Sequence, residues 1–408
     1  MIAFDLSRLL SRAGRGTPTG IDRVELAYAE HLMANGGRAC FTAVTAGGRL
    51  GMLQYPAAEQ FVAATATAWR GAPDPAHQER QVRRIARRAR LGLLASRERV
   101  LLSRLRAGAA RPVYLLVSHH HLEQSGLIAR LKERSGARFV CLIHDLIPIE
   151  FPEYAKPGQA ENHLRRIETA SRFADALIVN STVTRDALQP HLDRADRAPP
   201  ILVAPFGADL PAVPADAVPP FARPYFVYVS TIEARKNHLL LLNLWRRLAT
   251  DLGERAPQLV LIGQRGWEAE NVVDMLDRCP ALRGTVIERN TVADAEMVGL
   301  LKGARALLLP SFAEGFGLPL IEALQFGVPA LCSNLAALRE TGGTVPEFLD
   351  PLDGPGWHMA VLDYALPQSP RRDAQIARLR GWAPPRWSDH FAVVDDFIAD
   401  AAAVPVRA

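Results

Sequence analysis

Across 408 residues no apolar run approaches the ~18–20 residues that a membrane-spanning helix needs, so no bilayer-crossing segment is expected. Cysteine is scarce. Cys40, Cys141, Cys279 and Cys332 are scattered, with no Cys-x-x-Cys pair, which argues against a zinc site or a disulfide framework and fits a reducing cytoplasm. No Asp-x-Asp triplet occurs anywhere, and no metal site is expected. A basic lead followed by a long apolar core is also missing. The opening MIAFDLSRLL meets an acid at Asp5 and reads as a first strand running to Leu10, so a cytoplasmic location is expected rather than export. The composition is that of a globular protein, 49% apolar and 22% charged with a net charge of only +5. The length calls for two or three domains.

What is present centres on Pro310 to Asn334, PSFAEGFGLPLIEALQFGVPALCSN. The apolar run ALLLP ends a buried strand, a turn of small residues follows, and Pro319 opens a helix before a further apolar strand. Gly315 and Gly317 let the backbone take φ > 0 and come close to a ligand. The helix start beyond them supplies unpaired N–H groups and a positive dipole end, a seat for phosphate. Glu314 lies in the turn and Glu322 one turn into the helix. One carboxylate can hang over the phosphate while the other reaches an adjoining sugar. Phe316 and Leu318 stand between them.

Elsewhere strands and helices alternate, which implies mostly parallel sheets covered on both faces. After the first strand a polar loop leads to a helix over Ile21–Ala34, stopped by Asn35-Gly36-Gly37. The turn Thr17-Pro18-Thr19-Gly20 before it is either a plain cap or a second place where an anion meets free N–H groups. Residues 38 to 78 carry no clear pattern. From Pro112 the strands PVYLLV, ARFVCLI, DALIVN and ILVAPF alternate with helices. His119, His120, His121, His144 and Asn180 then fall just past strand ends, where ligands bind in such sheets. His119–His121 are adjacent and cannot easily all face one ion, so they are read as loop histidines.

Between Glu79 and Arg111 eleven arginines face two glutamates, interleaved with Val82, Ile85, Leu93, Leu101, Leu102 and Leu105. Amphipathic helices with cationic faces are expected here. They suit an anionic membrane leaflet, an acidic ligand, or simple packing as a solvated helical pair. Nucleic acid is not expected as a partner, because no aromatic residue interleaves for base stacking. Residues 211–224, with five prolines, read as a stiff hinge between two halves, and a cleft between the halves is the expected binding site. Arg235 and Lys236 fall in the turn after the first strand of the second half. Adjacent cations there suit a diphosphate, the arginine as a fork and the lysine as a point charge.

EGFGLPLIE resembles the E-x7-E signature of retaining glycosyltransferases of family 4, and STIEARKN, LIGQRGW and VADAEMVGLLKGARALLLPS match in order and spacing. IHDLIPIEFPE and PTGIDRV are similar to N-terminal segments of bacterial polysaccharide mannosyltransferases. The resemblance covers nearly the whole chain apart from about residues 50 to 110. It implies an α/β GT-B architecture, two Rossmann-like doubly wound parallel-sheet domains facing each other across a cleft. The acceptor domain would span 1–210 with a basic insert at 79–111, and the donor domain 225–370. A tail over 371–408 would cross back to the first domain. By position, Arg235 and Lys236 would hold the donor pyrophosphate, Glu322 the ribose, and Glu314 with Gly315, Phe316, Gly317 and Leu318 the transferred sugar and distal phosphate. Gly263 of LIGQRGW belongs to the same donor site. His144 would sit near the anomeric centre and Gly20 in a loop closing under the phosphate. His144, Glu314 and Lys236 are thus the expected catalytic residues. Many members carry Arg five positions before the lysine; that position is Thr231 here, and Arg235 takes over its charge. No cofactor is implied beyond the nucleotide-sugar substrate, with GDP-mannose favoured and UDP- or ADP-sugars the alternatives. The implied acceptor is a polysaccharide or lipid-linked oligosaccharide, met at the inner face of the plasma membrane. A sugar-nucleotide epimerase or phosphorylase, or an inactive assembly subunit, would share the fold.

Overall fold

The computed structural model describes residues 1–36, 39–45, 47–71, 74–95, 98–107, 110–208, 210 and 221–403. Gly37 of the helix stop and residues 211–220 of the proline-rich hinge lie outside them. The chain divides into two compact units. The first comprises Met1–Ile149, Gly158–Phe206 and Trp387–Ala408, the second Glu150–Pro157 and Gly207–Arg386.

In the first unit seven strands form one sheet: β1 Ile2–Asp5, β2 Ala39–Val44, β3 Leu50–Met52, β4 Val113–Leu116, β5 Arg138–Ile143, β6 Ala176–Val179 and β7 Ile201–Val203. Their order is β3-β2-β1-β4-β5-β6-β7. Runs such as VYLL in β4 and ALIV in β6 are buried at every residue. This is why they read as continuous apolar stretches rather than as alternations: helices cover both faces of a parallel sheet. The exception is β3, which pairs antiparallel with β2 at the edge. Its three residues are too few to give a period in sequence.

The expected first strand to Leu10 is corrected. β1 stops at Asp5 and a short helix, α1 Ser7–Ser11, follows. The Asp5 carboxylate accepts from the Ser7 N–H at 2.9 Å, and Glu25 accepts from the Leu9 N–H at 3.0 Å. Side chains thereby satisfy amides that a strand would have paired with a neighbour. Glu25 belongs to α2 Gly20–Ala34, and three further helices precede β4: α3 Tyr55–Gly71, α4 Pro75–Ala95 and α5 Glu98–Arg106. The helix Trp387–Ala403 completes this unit. His390 Nε2 lies 2.8 Å from the Tyr28 hydroxyl, and the Phe391 ring meets Tyr28 edge-on.

The second unit has six parallel strands: β8 Tyr225–Val229, β9 Gln258–Ile262, β10 Val286–Arg289, β11 Leu307–Leu309, β12 Ala330–Ser333 and β13 Glu347–Leu349. Their order, β10-β9-β8-β11-β12-β13, reverses direction between β8 and β11. That reversal is the switch point of a doubly wound sheet, beyond whose carboxyl ends ligands bind. Trp245 and Trp357 are fully buried in the core of this unit. Arg289, last residue of β10, holds the Gly263 amide at 3.0 Å through its carbonyl.

Candidate active site

The site is assembled at the switch point of the second unit. The chain leaving β8 runs through Ser230 into a single 3-10 turn, Ala234–Lys236. Asn237 closes that turn at φ 54°, and its amide donates to the carbonyls of Pro310 and Pro351 at 3.1 and 3.0 Å. The chain leaving β11 enters the turn at Ser311. The two segments are stitched together, since the Phe312 N–H donates to the Arg235 carbonyl at 2.9 Å.

Arg235 and Lys236 converge on Glu314. The lysine Nζ lies 2.5 Å from Glu314 Oε1, and an Arg235 nitrogen lies 3.3 Å from Oε2 while also donating to the Ala313 carbonyl at 2.6 Å. Glu233 takes the other side of the guanidinium at 2.7 Å. Burial pushes the Glu314 carboxyl up, but Lys236 and Arg235 outweigh burial and hold it at about 2. Burial, aided by the Arg235 charge, lowers the Lys236 pKa, with Glu314 and Glu233 opposing. Two cations and two carboxylates therefore balance in a site only a tenth or so exposed.

Several partners escaped the sequence reading. Ser311 donates to Glu314 Oε1 at 2.6 Å, and the Tyr228 hydroxyl donates to the Lys236 carbonyl at 2.7 Å. Glu233 and His238, buried beside the cations, also went unread. Burial drives the His238 pKa down to about 3, with the Lys236 charge adding to it, so its imidazole is neutral. The stretch YVSTIEARKNH carried the only signal for most of them, as a polar turn after an apolar strand.

The helix beyond the turn is Leu318–Gln325, with Pro319 in its first turn. Gly317 precedes it at φ 90°, and a Cβ there would lie 2.5 Å from Leu338 Cδ2. Gly315 is corrected: positive φ among the described glycines includes Gly317 but not Gly315. Phe316 is buried, and its carbonyl accepts from Thr341 Oγ1 at 2.7 Å. Glu322 is buried in the helix. Gly263, just past β9, has φ 149°, and a Cβ on it would stand 1.9 Å from the Ser230 carbonyl oxygen. The chain can cross the β8 exit so closely only with glycine at that point.

Gly20 and His144 belong to the first unit. Gly20 starts α2, and the Thr19 N–H before it is held by Asp22 at 2.8 Å. Asp22 in turn pairs with Arg8 and Arg12 at 2.7 and 2.6 Å, so this turn is occupied by a cap of its own. His144, past β5, donates from Nε2 to the Val117 carbonyl at 2.7 Å, and its N–H donates to His119 Nε2 at 3.3 Å. Burial lowers its pKa to about 4, against the raising effect of the Val117 bond, so the ring is neutral near pH 7. His119, in the loop after β4, is a buried loop histidine whose ring meets His144 edge-on and lies tilted against His163. Among the described residues no group of three or more His, Cys, Asp or Glu is arranged to hold a metal ion.

Two doubly wound sheets, one with cations and a glycine-led helix at its switch point, define the GT-B class. The crystal structure of Anabaena HepE in complex with UDP-glucose shares this architecture, with a TM-score of 0.64 at 13% identity over 98% of this chain and 99% of that one. The family model "Glycosyl transferases group 1" matches residues 216–342, and the model of the glucosyltransferase 3-like N-terminal domain matches 118–191. The Escherichia coli "O-antigen chain mannosyltransferase B" is 30% identical over 60% of this chain and 65% of its own length. The "Serotype-specific mannosyltransferase WbdA" of the same species is 29% identical over 51% of this chain and 27% of its own length. The chain thus spans less than two thirds of the curated relatives it matches. By these matches residues 216–342 are similar to group 1 glycosyltransferases, and the chain resembles members of family 4.

Proposed function

We propose that the protein is a retaining hexosyltransferase that moves a sugar, mannose from GDP-mannose in the favoured case, onto a polysaccharide or lipid-linked oligosaccharide acceptor. The observation that carries this reading is the convergence of Arg235 and Lys236 on one carboxylate at the switch point, beside the start of the helix Leu318–Gln325. The naming of two relatives as mannosyltransferases supports the choice of sugar.

The chemistry follows from the charges. Breaking a sugar–phosphate bond places negative charge on the departing diphosphate. Cations already fixed in a buried site stabilise that charge without reorganisation. Helix N–H groups beyond Gly317 add to them. With its carboxyl held near 2, Glu314 is an anion at any working pH and cannot serve as a proton donor. Its role is then to accept from sugar hydroxyls once the diphosphate claims the cations, with Glu322 gripping the ribose. This separates the pair from the acid and nucleophile of a glycosidase. The leaving phosphate itself would take the acceptor proton in a front-face attack.

A thermal-shift screen across GDP-, UDP- and ADP-sugars tests the reading, because a ligand bound to the folded state stabilises it by mass action. One class should raise the melting temperature by several degrees, and Lys236→Ala should lose both that shift and sugar transfer. Absence of any shift, or full transfer by Lys236→Ala, would overturn it.

A further inference from the structure

We propose that the outward face of α4 is a docking surface for the anionic headgroups of a lipid bilayer. This surface lies in the first unit and does not depend on the transfer chemistry. The helix buries Val82, Ile85, Ala86, Ala89 and Leu93, each no more than 3% exposed. Its arginines are sorted by the fold. Arg83 donates to the Gly14 carbonyl at 2.8 Å and lies against that glycine, while Arg90 donates to the Leu10 carbonyl. These two serve as struts. Arg80, Arg84, Arg87 and Arg88 are exposed.

Positions 80, 84, 87 and 88 fall within an arc of about 100° on a helix of 3.6 residues per turn. Leu91 lies in the middle of the same arc and is 66% exposed. The helix's one carboxylate, Glu79, is outside the arc and pairs with Arg83. A merely solvated face has no use for an exposed leucine at the centre of four unopposed cations. A bilayer interface accommodates both: arginines reach phosphates while their stems and a leucine enter the apolar boundary. A nucleic acid would match the charge but not the leucine, and α4 carries no Phe, Tyr or Trp for stacking.

Sedimentation of the full chain with phosphatidylcholine vesicles, with and without phosphatidylglycerol, tests this at about 0.1 M salt, where charges are screened beyond roughly 10 Å. The protein should pellet only with the anionic vesicles. At roughly fivefold per basic residue, R80Q/R84Q/R87Q/R88Q should weaken partitioning by several hundred-fold. Leu91→Ser should weaken it several-fold at unchanged charge, and R246Q/R247Q/R278Q/R283Q, an equal charge change on the second unit, should leave it as in wild type. Far-ultraviolet circular dichroism confirms that each variant is folded. The proposal is overturned if the α4 variant still pellets, if both quadruple variants lose binding equally, or if the protein shifts RNA in gels while ignoring vesicles.

Discussion

Glu314 has two cationic partners, and a diphosphate would want the same two. With Arg235 and Lys236 already neutralised, the ion pairs act as a stand-in for the phosphate charge. On the proposed reading, binding the donor would exchange one anion for another, and the released carboxylate would turn to the sugar. Glu314→Gln should separate these steps. Without the competing charge a nucleoside diphosphate should bind at least as tightly as to wild type, while transfer falls and the empty protein loses roughly 1–3 kcal/mol. Titration calorimetry with GDP checks it; a loss of GDP affinity as large as that of Lys236→Ala would show that Glu314 does not compete. The pairing itself was not legible in the sequence. Residues 235–236 and 314 are far apart along the chain, and the strand order that makes β8 and β11 neighbours brings them together.

At the scale of elements, α1 and α2 are pinned together by a buried carboxyl. Glu25 is fully buried, and its Oε1 holds the Leu9 amide. Burial lifts its pKa from 4.5 to about 8, Asp5 adding to the rise and the Leu9 bond and Arg8 opposing it. The sign follows from linkage. The folded state keeps the proton while the unfolded chain ionises above about 4.5, so this contribution to stability is full at acid pH and is lost as pH climbs to about 8. Glu25→Gln is neutral throughout and should melt higher than wild type at pH 8, the gap closing towards pH 5. Parallel melting curves over that range would mean the carboxyl is already ionised. Asp5, raised by the same burial, keeps part of the slope in the variant. Hydrophobic patterning showed α2 but not α1, because a five-residue helix following a strand has no periodicity to read.

On the scale of the whole molecule, the Lys236–Glu314 cluster and Gly263 all belong to the second unit, and His144 and Gly20 to the first. Hydrogen exchange should therefore show a nucleoside diphosphate protecting amides in 230–238 and 311–322, with β1–β7 unchanged. Protection spread over the first sheet instead would place the nucleotide there. The alternation of buried apolar runs with amphipathic helices was enough to give the α/β class, because parallel strands covered on both faces must be apolar throughout. EGFGLPLIE and EARKN were local enough to be seen, since a phosphate seat needs small residues and cations within a few positions. The sequence by itself determined the class of fold and the residues of the two turns. Tertiary structure alone decided that Arg235, Lys236 and Glu314 share charge, that Gly263 must be glycine because a strand exit crosses it, and that Arg83 and Arg90 brace the fold while Arg84 and Arg88 face outward. The reason is the same in each case: which groups meet depends on strand order and helix facing, and these are set by how the whole chain packs.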